Sequence, residues 1–218
     1  MQAFVDACQS GPAHARLERT LHAIVQSPAL HARFLNSLSR LEYVGVRKML
    51  KTRRAQDLDL DGLQHMLEEA AHATRLKKFA CSVAPAGVSV ATFGAEHTLA
   101  GDEAERYFQT VDRAGEQALG AGPAEASNPE ATYALTSAAI EIRARTFYPA
   151  YQQVLQATGQ RVSVASILSD EEAHLREMQV RLQTDLPDWQ ARLQHVLQIE
   201  ERAFATLLDA LDAAVARA

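Results

Sequence analysis

Two short stretches decide how this chain reads: Glu69-Ala-Ala-His72 and Glu171-Glu-Ala-His174. Residues three apart share one face of an α-helix, so each stretch can offer a carboxylate and an imidazole to one metal ion. A single match is expected by chance in a helix-rich chain of 218 residues, where it reads as a solvated pair, and two matches are only suggestive. The upstream context raises them above chance. Glu42 stands in Ser39-Arg-Leu-Glu-Tyr-Val-Gly45 and Glu141 in Leu135-Thr-Ser-Ala-Ala-Ile-Glu-Ile142, each a glutamate inside an otherwise apolar helical pattern. The intervals are 27 residues (42 to 69) and 30 residues (141 to 171). A pair of antiparallel helices with a short turn brings positions so spaced to one level. Four segments then place four carboxylates and two imidazoles in one layer, and buried carboxylates are costly unless paired or bound to metal.

A second symmetry supports a metal layer. Glu68 and Asp170 each precede a Glu-x-x-His motif and are placed to accept a hydrogen bond from the histidine of the other half, fixing its tautomer. A competing motif is Asp57, Asp59, Asp61, Gly62 and Glu68, which matches the spacing of a calcium-binding EF-hand loop. Leu63, Met66 and Leu67 instead continue as one helix through Glu69 and His72, so these acids read as a helix start.

The surrounding chain reads as all-α. A helix over about 13–27 ends at Ser27-Pro28, a long one runs from Pro28 to about Arg54, and another follows Asp57-Leu58-Asp59 to about Phe79. Ser82 to Leu99, with Pro85, Gly87 and Gly94, reads as loop or a brief extended piece. Helices then open at Gly101-Asp102-Glu103, at Asn128-Pro129-Glu130, at Ser163 and after Leu186-Pro187-Asp188. Pro149 is expected to kink or divide the helix that holds Glu141. The first residues around Cys8 read as a frayed terminus.

Composition excludes several classes. Hydrophobic residues make up 47%, charged residues 22%, and the net charge is -5, which gives no basic face for a nucleic-acid duplex or an anionic membrane. The run Arg47, Lys48, Lys51, Arg53 and Arg54 reads as a solvated helix end. Two cysteines imply no disulfide framework, and no apolar run is long enough to cross a bilayer. The expected location is the cytoplasm.

The series Glu42, Glu69-x-x-His72, Glu141, Asp170-Glu171-x-x-His174 resembles the ferritin-like di-iron carboxylate superfamily, of which it is a known hallmark. The resemblance covers about 30 to 180 and leaves out the first helix, the segment 83–127 and the last helix. It implies a single ferritin-like domain over 1–218: a four-helix bundle with one long crossover and extra helices at both ends. Glu42, Glu69 and His72 would favour one iron, and Glu141, Glu171 and His174 the other, with Glu69 and Glu171 bridging; Fe/Mn or Mn/Mn pairs are variants. Rubrerythrin would need four cysteines in its tail. The added helices look more like oxygen-activating branches such as the tRNA hydroxylases or aldehyde-deformylating oxygenases. The expected function is an O2-activating di-iron monooxygenase, a monomer or homodimer, acting on a small or medium organic substrate with electrons from a separate donor. A ferroxidase, store or peroxide scavenger is one alternative, and a metal-stabilised interaction module another. Tyr148, two turns from Glu141, and Tyr43, beside Glu42, are candidates to act near the site. His65 is expected at the surface, as are Arg143 and Arg145.

Overall fold

The structure is a computed structural model that describes all residues except 53–55, 57 and 121–128, and only the backbone of Pro129. Arg53, Arg54, Asp57 and the expected cap Asn128 lie outside the described residues. Among those described there are eight α-helices and no strand: α1 (Gln2–Gln9), α2 (Pro12–Gln26), α3 (Pro28–Thr52), α4 (Leu60–Val83), α5 (Gly101–Ala118), α6 (Pro129–Ala157), α7 (Ala165–Asp185) and α8 (Trp189–Ala216). No described helix is long and apolar enough to cross a membrane.

Side-chain bonds set the helix directions. Lys77 Nζ donates to Asn36 Oδ1 at 2.6 Å and Ser39 Oγ to the Ala73 carbonyl at 2.7 Å, so α3 and α4 run antiparallel. Arg145 with Glu172 and Gln152 with Val164 do the same for α6 and α7. Between the pairs, Glu68 meets His174 and Asp59 meets Arg181, which makes α4 antiparallel to α7. The order is up, down, down, up, and a helical bundle of this order needs one long connection between its second and third helices. That connection carries α5, which packs antiparallel on α8 through Tyr107 with Glu200 and Arg192 with the Ala118 carbonyl.

The chain enters α4 through Asp59, whose carboxylate accepts from the Gly62 amide at 2.8 Å as an N-cap. Residues 84–100 form no strand because α3 satisfies their backbone: Asn36 Nδ2 donates to the carbonyls of Thr92 and His97, both at 2.8 Å, and Ser37 Oγ donates to that of Leu99. The terminus expected to fray is α1, held by buried Val5 and Cys8 against α6. Pro149 does not divide α6, which continues through it with Phe147, Tyr148 and Tyr151 buried around it. The core is apolar at both ends of the bundle, with Leu17, Leu21, Ile24, Leu35, Leu155 and Leu182 almost wholly buried, each contributing roughly 1.5–3 kcal/mol.

Candidate metal centre

Mid-height in the bundle, the apolar core gives way to a polar layer. Glu69, His72, Glu141, Glu171 and His174 are buried, and Glu42 is half-buried at its edge. One ligand atom each from Glu42, Glu69, His72 and Glu171 lie within 4.8 Å of one another, and the same holds for His65, Glu69, Glu141 and His174, so Glu69 belongs to both groups. His72 Nδ1 stands 3.4 Å from Glu171 Oε1 and 3.9 Å from both Glu42 and Glu69, while His174 Nδ1 stands 3.4 Å from Glu69 and Glu171. All six residues singled out from the motifs therefore meet in one layer.

The outer nitrogens are held across the bundle. His72 Nε2 hydrogen-bonds Asp170 of α7 at 2.9 Å, and His174 Nε2 hydrogen-bonds Glu68 of α4 at 2.9 Å. A carboxylate behind each ring keeps the proton on Nε2 and turns Nδ1 inward as a free lone pair. Both Nδ1 atoms, and Glu141 Oε2, are buried without a hydrogen-bond partner. Orphaned acceptors converging on one volume are what a divalent cation relieves, and oxygen with imidazole suits iron or manganese. The residues fit the ions implied by the motif.

Without metal, protons must fill that role. Burial, and then the charge of Glu171, push the Glu42 and Glu141 carboxyls up. Burial, with Glu42 and Glu171 next, holds Glu69 well above the usual carboxylate range. Glu171 is pulled the other way, because the close approach of Glu141, His174 and His72 outweighs its burial. Burial opposes charge on His72, but the nearby carboxylates of Glu171 and Glu42, and the hydrogen bond to Asp170, prevail and raise it to about 9. His174 is raised similarly.

Around the layer, Tyr148 donates its hydroxyl to Glu42 Oε1. Tyr43 does not reach the ligands: a neighbour on a helix points about 100° away, so it is exposed and stacks on Phe93 at 5.8 Å. Gly45, one turn beyond Glu42, leaves the layer open; a Cβ there would sit 3.0 Å from Glu69 Oε2. Beside it lies a cavity of about 210 Å³ lined by Glu42, Glu69, Glu141 and Glu171 on one side and by apolar residues of α3, α5, α6 and α8 on the other.

Two expectations fail. His65 is buried, because seven residues before His72 is two helical turns and hence the same inward face. Arg143 is also buried: its Nε and Nη2 donate to Glu200 at 2.8 and 2.7 Å, and Nη2 donates to Glu201 at 2.6 Å. Tyr107 adds a hydroxyl to Glu200 at 2.6 Å. The partners lie 57 and 58 residues along the chain, beyond any local signal. Arg145 pairs with Glu172 as a partly exposed ion pair. Comparison with family models, with curated proteins and with solved structures gave no match.

Proposed function

We propose that this chain is a ferritin-like di-metal carboxylate oxidoreductase that binds two iron ions and uses O2 to oxidise an apolar organic substrate. The observation that carries the reading is the contact between the ligand layer and an apolar cavity: the four glutamates form part of the cavity wall, so a bound molecule lies against the metals. Iron held by these residues would supply the redox chemistry toward O2. A second metal arrangement, Fe/Mn or Mn/Mn, fits the same oxygen-rich ligands.

The chain's own residues supply the rest. Asp170 and Glu68 orient the ligand imidazoles, and Tyr148 holds the Glu42 carboxylate, the ligand nearest solvent. Phe34, Leu38, Phe108 and Leu207 exclude water from the substrate side. The fixed charges on the far wall are already neutralised, Lys48 by Asp112 and Arg143 by Glu200, so the cavity favours an apolar body over an anionic one. The sequence carries no flavin or nicotinamide fingerprint, which assigns electron supply to a separate donor.

The test is metal content after growth with added iron, followed by stopped-flow absorbance on mixing the anaerobic ferrous protein with O2. Two irons per chain and a transient absorbance whose decay quickens with an apolar substrate are expected. Uptake of many irons per chain, in a closed shell of protomers, would overturn the reading in favour of iron storage. Two metals with no O2 reaction would leave a structural role.

A further inference from the structure

His65 has no part in the six-residue motif, yet it stands in the same layer. It precedes Glu69 by one turn of α4, so His65, Glu69 and His72 line one face. Its Nε2 lies 3.7 Å from Glu69 Oε1 and 3.8 Å from Glu141 Oε1. Its ring stacks on that of His174 with centroids 3.8 Å apart and planes 23° apart. His174 Nδ1 in turn stands 3.4 Å from Glu69 Oε1 and 3.8 Å from Glu141 Oε1.

These separations are too long for hydrogen bonds and of the right size for donors around one ion. Ligand atoms about 2.1 Å from a shared divalent metal stand about 3.0 to 3.4 Å apart when adjacent and about 4.2 Å apart when opposite. The four atoms of this group all fall within 4.8 Å of one another, a slightly open shell.

A second, independent feature lies on the other side of the ring. His65 Nδ1 is buried without a hydrogen bond and faces Glu177 Oε2 at 3.6 Å, and Glu177 is itself held by Arg181 Nε at 2.8 Å. Asp170 and Glu68 hydrogen-bond the outer nitrogens of His72 and His174 at 2.9 Å, and Glu177 faces that of His65 at the longer 3.6 Å, so each of the three imidazoles has a carboxylate on the side away from the layer. That arrangement is the one by which metal-bound histidines are oriented.

We infer that His65 is a third imidazole ligand, bound through Nε2 and oriented by Glu177, so that the two metal positions are chemically unequal. The inference rests on the two-metal reading above. One position is formed by His65, Glu69, Glu141 and His174, with two nitrogens; the other by Glu42, Glu69, His72 and Glu171, with one. The nitrogen-rich position takes the later first-row metal of a mixed pair, and the oxygen-rich position takes manganese more readily.

Cobalt(II) added anaerobically to the metal-free wild-type chain tests this without reference to activity. Each ligand histidine binds through one nitrogen and keeps an N–H on the other, facing its acid partner, so proton NMR of the cobalt form should show three strongly shifted, exchangeable N–H signals; two would overturn the proposal. In His65→Gln, one of two cobalt-binding steps should weaken at least about tenfold while the other holds, and wild-type affinity in both steps would overturn it. Glu177→Gln keeps the imidazole and should move the His65 N–H signal alone, which guards against a folding defect in the first variant. If the wild-type chain itself binds fewer than two cobalt ions, the two-metal reading fails, and this inference falls with it.

Discussion

At Gly45 the space left by one missing methyl group separates ligand geometry from fold stability. An alanine there would improve helix propensity by about 1 kcal/mol, but its Cβ, 3.0 Å from Glu69 Oε2, would press the shared carboxylate aside by a few tenths of an ångström. Gly45→Ala should therefore weaken metal binding about tenfold by calorimetric titration, while the metal-free protein melts no lower than wild type. Equal loss in both measurements would mean that Gly45 serves packing alone. At Arg143 the balance is reversed. Arg143→Met leaves Glu200 buried with only the Tyr107 hydroxyl for company and should cost about 3–5 kcal/mol in urea unfolding, whereas Arg143→Met with Glu200→Leu should recover most of it. The two residues also differ in legibility. Gly45 stands one turn from Glu42, a local relation present in the sequence, and His65 lies in helical phase with His72, although surface is the default for a lone histidine. Burial of Arg143 depends on α8, and nothing near Ile140-Glu-Ile-Arg143 reports it.

Among the elements, the helix pairs were legible and their coverings were not. Periodic apolar positions and the proline or glycine boundaries set α2 to α8 to within a few residues, because those signals are local. The pairing of α5 with α8 is non-local: both are amphipathic, but which face each covers depends on the gap left beside the ligand layer. That gap is the cavity, closed by Phe108 of α5 and Leu207 and Leu211 of α8. Because these helices cover one wall of it, straight-chain alcohols displacing an apolar dye from the metal-free protein should bind about fourfold tighter per added CH2, from about 0.8 kcal/mol each, until the cavity is full. Leu207→Trp fills the space from α8 and should abolish the series while leaving metal uptake intact. Affinity that is flat with chain length would remove the apolar substrate from the proposed function without touching the metal layer.

For the whole molecule, the buried carboxylate and imidazole layer is a store of protons that sets how stability depends on pH. In the metal-free protein His72 is raised to about 9, and Glu42, Glu69 and Glu141 are also raised. Groups raised on folding stabilise the fold fully below their unfolded values and lose that contribution as pH climbs through the folded ones. The metal-free chain should therefore lose stability as pH rises above about 4.5, the unfolded value of the three carboxyls, and further through the His72 window from about 6.5 to about 9. On the acid side, His31, pushed down to about 4 by burial against Tyr151, must gain a charge as pH falls, and Glu177, held at about 2 against its burial by His65 and Arg181, loses its pairing as it protonates. Stability of the metal-free form is thus greatest on the acid side of neutrality. Bound metal would reverse the alkaline limb, because each ion would displace protons from the same carboxyls and imidazoles and so bind more tightly as pH rises. Melting temperatures measured from pH 4 to 9, with chelator and with saturating cobalt, should converge at the acid end and diverge steadily as pH rises. Calorimetry in buffers of different ionisation enthalpy should show protons released on binding. Parallel melting curves with no proton release would place the ions away from this layer, since no cation can occupy these orphaned acceptors without expelling the protons that stand in for it.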